Sequence, residues 1–147
     1  MYAKKAFPVV FTQFNMTPTY KDLRKPAKLA WQGQEQAFQK ETAKILKKAL
    51  YNAGLPQLGF HTANERKAKV QEHARLKLQG VLSGVSDWII LIPRKGFHGL
   101  VIELKKSGGT ADDNQKTFMN GAAGQGYLVV LINDLETFEE TINAYLN

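Results

Sequence analysis

The stretch GVSDWIILIPRKGFHGLVIELKK, Gly84 to Lys106, decides how the chain is read. Two apolar runs rich in β-formers, Trp88 to Ile92 and Leu100 to Leu104, flank Pro93-Arg94-Lys95-Gly96-Phe97, which marks a β-hairpin. Each run carries polar side chains where a core strand should have none. Asp87 opens the first, and Glu103 with Lys105 closes the second. Side chains two apart in a strand share a face, so Glu103 and Lys105 project together while Leu104 points away. With a turn centred near Lys95-Gly96, Asp87 falls opposite Glu103 or Leu104. Two carboxylates and an ammonium then converge at one end of a small sheet.

Carboxylates beside apolar strands are costly unless a cation, a proton or a hydrogen bond compensates. A divalent metal compensates both at once. Hard oxygen donors suit Mg2+ or Mn2+, which can clamp a phosphodiester oxygen and lower the pKa of a bound water. Lys105 would orient that water or offset charge developing on the phosphoryl oxygens. The plainer reading is a strand-end salt bridge among the three residues. An Asp placed one hairpin arm before a Glu-x-Lys tripeptide, in a basic protein, gives the metal reading its weight.

At 147 residues and 44% apolar, the chain suits one compact domain with a true core. Twenty Lys and Arg against 13 acidic residues give +7 and a pI near 9.6, which favours a polyanionic partner. The absence of cysteine excludes a disulfide framework, a thiolate zinc site and a thiol nucleophile, and fits a reducing cytoplasm. The apolar run Ala6 to Phe11 is broken by Pro8 and too short for a signal segment or a membrane span. A soluble intracellular protein with no membrane partner is expected.

Residues 1–33 read as a basic, aromatic arm. Lys4, Lys5, Lys21, Arg24, Lys25 and Lys28 alternate with Tyr2, Phe7, Phe11, Phe14 and Tyr20, and prolines at 8, 18 and 26 argue against a long helix. One short strand near Val9 to Gln13 is expected. The aromatics either pack on the core or a partner subunit, or stack on nucleic acid. From Gln34 to Ala53, helical periodicity places Phe38, Thr42, Ile45, Leu46, Ala49 and Ala53 inward, with Gly54 as the stop. Glu35 projects near the centre of that stripe, either as a first-turn charge welcomed by the helix dipole or as a functional carboxylate. Glu41 reads as surface, paired with Lys44 or Lys48.

A connection follows, with a short strand around Leu58 to His61. Next comes a helix from Glu65 to Gln79, dense in Arg66, Lys67, Lys69, Arg75 and Lys77 over a thin stripe of Val70, Ala74 and Leu78. After the hairpin, Thr110 is the expected cap of a helix reaching about Ala123, with Phe118, Met119 and Ala122 inward and Gln115 on the same side. That glutamine would bond Lys105 or a phosphate, or cap a neighbouring strand. Tyr127 to Ile132 reads as a buried strand, and Asn133-Asp134 caps a last helix with Leu135, Phe138, Ile142 and Tyr145 inward. The order implies an α/β fold, a mixed sheet with helices on both faces. His73 and His98 read as surface residues, and His61 as a substrate contact.

A helix bearing Glu, a hairpin bearing Asp and Glu-x-Lys, then helix, strand and helix resembles the restriction-endonuclease-like core of the PD-(D/E)xK nucleases, in αβββαβα order. Within that group the chain is most similar to the VRR-NUC (virus-type replication-repair nuclease) family, from about Gln34 to the C-terminus. QEQAF around Glu35, FHTANERK from Phe60, ARLKLQGVLSGVSDW ending at Trp88, LVIELKKSGG from Leu100 and DNQKTF before Met119 carry the likeness. The chain departs from it at Ser86, where the family often has Pro, and at Ala63-Asn64-Glu65, where a Pro-Asn-Gly-like loop is usual.

The resemblance implies that residues 34–147 form the nuclease domain, with Asp87, Glu103 and Glu35 as metal ligands, Lys105 as the catalytic lysine and Gln115 as the motif glutamine. His61, Asn64, Arg66, Lys67, Lys69 and Lys106 are the expected DNA contacts. By the same likeness the chain is expected to be a Mg2+- or Mn2+-dependent, structure-selective endonuclease. Its expected substrate is branched DNA such as a Holliday junction, cut by a homodimer of phage or prophage origin in a bacterial cytoplasm. The alternative is a non-catalytic nucleic-acid-binding module whose acidic cluster is structural.

Overall fold

The computed structural model describes residues 9–11, 35–62, 70–105 and 109–147. Its elements run β1 (Val9–Phe11), α1 (Glu35–Asn52), β2 (Gly59–His61), α2 (Val70–Leu78), β3 (Trp88–Ile90), β4 (Leu100–Leu104), α3 (Asp113–Gly124), β5 (Leu128–Ile132) and α4 (Leu135–Leu146). The five strands form one sheet in the order β1-β5-β4-β3-β2. Only β4 and β5 among these neighbours run parallel, with α3 between them in sequence, as a parallel pair requires. The mixed α/β architecture is therefore the expected one, and the strand anticipated near Val9 pairs with β5 at the sheet's far edge.

Alternation along β4 divides the core in two. Leu100, Ile102 and Leu104 face α1 and α4, where Phe38, Leu46, Leu50, Phe138 and Ile142 complete the larger cluster. Val101 faces α3 and packs with Met119, Ala123, Val129 and Leu131. The next residue on that second face is Glu103, only 1% exposed, so a carboxylate stands where the pattern calls for an apolar side chain.

The hairpin turns through Lys95 and Gly96, both at positive φ (54° and 83°), the conformation that suits the right-handed twist of two short strands. Arg94 and Phe97 close it. The strands then pair from Ile90↔Leu100 to Trp88↔Ile102, so three residues, Leu91 to Pro93, oppose two, His98 and Gly99. This bulge ends β3 at Ile90 instead of the expected Ile92, because Pro93 has no N–H to give the ladder. The Ile92 carbonyl accepts a hydrogen bond from Tyr145 Oη at 2.7 Å, in the core.

Three helix expectations need correction. Ala53 is exposed and Leu50 takes its place on the inner face of α1, because the stripe advances by strict fours from Phe38 through Thr42 and Leu46. In α2, Ala74 is exposed and Leu78 is 90% exposed, so these two positions of the thin apolar stripe are not packed on the described core. The cap of α3 is Asp112, not Thr110. Asp112 Oδ1 accepts the Gln115 N–H at 2.8 Å, and Gln115 Oε1 accepts the Asp112 N–H at 3.0 Å, a reciprocal capping box.

Candidate active site

The bulged register carries the pairing one step past Trp88↔Ile102 and sets Asp87 against Glu103 on the α3 face. Asp87 is anchored from both sides. Its Oδ2 accepts the Leu104 N–H at 2.7 Å, and its backbone carbonyl accepts the Thr62 N–H at 2.9 Å. Thr62 Oγ1 also donates to the Ser86 carbonyl at 2.6 Å. Gly84, with φ of 79°, lets this loop press on α3: a Cβ there would lie 2.6 Å from Asn114 and 2.8 Å from the Gln115 nitrogen.

Lys105 sits at the exit of β4, its own N–H bonded to the Ile132 carbonyl at 2.9 Å. Its ammonium donates to Gln115 Oε1 at 2.7 Å and pairs with Glu103 Oε1 at 3.2 Å, while Gln115 Nε2 donates to that same Glu103 oxygen at 2.6 Å. The capping box and this bridge share one side chain, so the start of α3 fixes the positions of both the carboxylate and the ammonium. Of the partners the sequence left open for Gln115, Lys105 is bonded here.

Charge is held here at a cost. Burial first, and then the Asp87 carboxylate, push Glu103 up to about 7 against the pull of Lys105. Burial also raises Asp87, opposed by the Leu104 N–H, His61 and Lys105, with a small further rise from Glu35. Glu103 Oε2 and the hydroxyl of neighbouring Ser86 are both buried and neither makes a hydrogen bond of good geometry, although Ser86 lies close enough to hold the Glu103 carboxyl down slightly. Leaving a buried acceptor unpaired costs about 1–3 kcal/mol, and more when it is charged.

A poorly satisfied carboxylate oxygen beside a second desolvated carboxylate is a donor set that a hard divalent cation would satisfy. Asp87 and Glu103 are the residues fitted to hold one. Glu35, the third expected ligand, comes close enough to influence Asp87. Even so, among the described residues no three His, Cys, Asp or Glu side chains gather into a metal-binding group. Substrate oxygens and water would supply the remaining ligands, as is usual for magnesium.

A cleft of about 350 Å³ opens between α1 and the β2–β3 edge, lined by Glu35, Gln39, Lys40, Ala43, His61 and Trp88 among others. His61 pairs with Trp88 across the strands and meets its ring edge-on, centroids 5.2 Å apart. Burial lowers the His61 pKa, against the pull of Asp87. The spacing of residues gave no sign of this cleft, since its walls come from three separated segments. His73 and His98 are exposed as expected. Asn64, Arg66, Lys67, Lys69 and Lys106 lie outside the described residues.

Three comparisons bear on this arrangement. No match is found among curated proteins. A solved structure described as a "VRR_NUC domain protein" superposes with a TM-score of 0.58 at 24% identity, over 75% of this chain and 89% of that one, which speaks for the fold. Among the described residues no helix is long and apolar enough to cross a membrane. Residues 31–133, which hold Glu35, Asp87, Glu103, Lys105 and Gln115, match the VRR-NUC domain, so the chain belongs to the VRR-NUC family and its function is of the nuclease type, with DNA as substrate.

Proposed function

We propose that the protein is a Mg2+- or Mn2+-dependent endonuclease that hydrolyses phosphodiester bonds in branched DNA, such as a four-way junction, as a homodimer. The observation that carries the catalytic part is the facing pair Asp87 and Glu103, with Lys105 held 3.2 Å from Glu103 by the Gln115 bridge. A divalent ion bound by the two carboxylates would supply charge neutralisation and water activation. The protein's own groups do the rest. Gln115 uses its carbonyl for Lys105 and its amide for Glu103, so each is kept from swinging away. An ammonium carries three donors, and Lys105 keeps at least one to offer a water or a phosphoryl oxygen, where charge grows in the transition state.

Branched DNA and the homodimer rest on the resemblance set out above and on the net charge of +7. A closed Lys105–Glu103–Gln115 network is also what a purely structural cluster would contain, which keeps the non-catalytic binding module as the second reading. Labelled single-stranded, duplex, flapped and four-way DNAs, incubated with Mg2+, with Mn2+ and with chelator, separate the two. The expected result is metal-dependent cutting that is fastest on the branched forms. Asp87→Asn or Glu103→Gln should abolish it and leave DNA binding intact or tighter, because each removes negative charge. Cleavage that survives both substitutions and chelator would falsify the mechanism, and binding without cleavage under every condition would favour the module.

A further inference from the structure

We infer that the cleft between α1 and the β2–β3 edge is a pocket for one unpaired nucleobase of the DNA, received by the indole N–H of Trp88 and the carboxamide of Gln39. The inference rests on the nuclease reading and names what selects the substrate.

Two donors point to a ligand with acceptors. Trp88 is 5% exposed, and its Nε1 is buried without a partner. Gln39 Nε2 is in the same condition, and both side chains line the cleft. Native proteins seldom leave buried donors unpaired without a reason. Base edges carry ring nitrogens and carbonyl oxygens that accept such bonds.

Size and walls fit the same ligand. About 350 Å³ is near the small end of ligand pockets, roughly 300–1,000 Å³, which suits a base and its sugar but not a helix. His61 and Trp88 supply aromatic surface for stacking. Lys40 adds a cation to the lining for the attached phosphate.

Placement ties the pocket to the chemistry. Trp88 faces α1 while Asp87 turns to the other side of the sheet, but Glu35 and His61 both line the cleft and lie near enough to act electrostatically on Asp87. A base seated there would keep its flanking phosphodiester near the end of the sheet at which Glu35 and His61 act on Asp87. Extrusion from a duplex costs stacking and pairing, and costs least where a base is already unpaired. The pocket thereby favours flaps, and the pairs at a branch point that have lost a stacking neighbour, over intact duplex without reading sequence.

The test uses the full chain and junction DNA carrying 2-aminopurine at successive positions near the branch, whose emission rises when the base leaves the stack. Binding is followed with the wild type in chelator and with E103Q. Emission should rise several-fold at one position, and Ala43→Leu, which fills the cleft, should abolish the rise. Gln39→Met, which removes the donor but keeps the length, should weaken it, so the outcome does not hang on Ala43→Leu folding well. Melting temperature checks the fold of both, and duplex affinity should stay within about twofold because phosphate contacts dominate it.

Flat emission at every position with DNA bound overturns the pocket, as does a signal that persists in folded Ala43→Leu. Cutting with silent emission removes the pocket alone. Emission without cutting in any metal removes the nuclease reading alone, and DNA that neither binds nor is cut removes both.

Discussion

Asp87 stands opposite Glu103 because Leu91 to Pro93 on one hairpin arm face only His98 and Gly99 on the other. Without that extra residue Asp87 would face Leu104, and its carboxylate would turn toward the apolar core beneath α1 and α4. A one-residue bulge therefore decides whether the two acids meet.

Tyr145 holds the bulge by donating to the Ile92 carbonyl at 2.7 Å. Tyr145→Phe leaves that buried carbonyl unpaired, for an expected loss of about 1–3 kcal/mol in urea unfolding. Cleavage should fall as well if the register loosens. Unchanged stability would mean that the bulge is fixed by the turn and Pro93 alone.

Gly84→Ala should disturb both stability and the site. The new methyl meets Asn114 at 2.6 Å, and the backbone sits at φ 79°, so strain of about 1–3 kcal/mol is expected. The Asp87 loop then lifts away from Gln115, and kcat should drop by more than KM rises. Single-turnover cleavage separates that effect from simple loss of folded protein.

The metal-free protein should lose stability as pH rises. Glu103 titrates at about 7 when folded against an ordinary 4.5, so the folded state holds this proton more tightly than the unfolded chain does. That contribution is complete below about 4.5, fades as pH climbs through 7, and is on the order of 3 kcal/mol. Asp87, also raised, acts in the same direction. Unfolding curves of wild type and Glu103→Gln in chelator, compared between pH 4.5 and 8, isolate it: the wild type should decline relative to the variant. At pH 8, Mg2+ or Mn2+ should raise the melting temperature of the wild type and not of Asp87→Asn.

Gln115 bridges Glu103 and Lys105, so its removal should cost activity without removing a ligand. Gln115→Leu is expected to lower kcat about 10- to 100-fold, the usual range for a residue that orients a metal ligand, and to weaken the cap of α3. Gln115→Glu restores the acceptor for the Asp112 N–H but sets a carboxylate against Glu103. That raises the Glu103 pKa further and should move the acid limb of the pH–rate profile to higher pH. A profile that stays put would show that Glu103 does not need to ionise.

Much of this was legible in the residues themselves. Leu100 to Leu104 alternates between two apolar faces, so the charge of Glu103 was visibly out of place, and the i, i+2 rule already put Lys105 beside it. The spacing from Gln115 to Met119 placed the glutamine on the inner side of α3. Where local rules compete, the residues misled: Thr110 and Asp112 are both capable caps, and only the bond from Gln115 chose between them. In α2 a stripe of Ala74 and Leu78 reads as buried, yet periodicity says nothing about whether another surface is there to cover it.

By itself, then, the order of residues determined the main elements, the mixed sheet and the pairing of Glu103 with Lys105 at one sheet end, because side-chain alternation and turn chemistry act over a few neighbouring positions. Tertiary structure alone decided the bulged register that faces Asp87 to Glu103, the distance Glu35 keeps from that pair, and the cleft walled by α1, His61 and Trp88. Those depend on how distant segments pack against one another, and no local spacing encodes that.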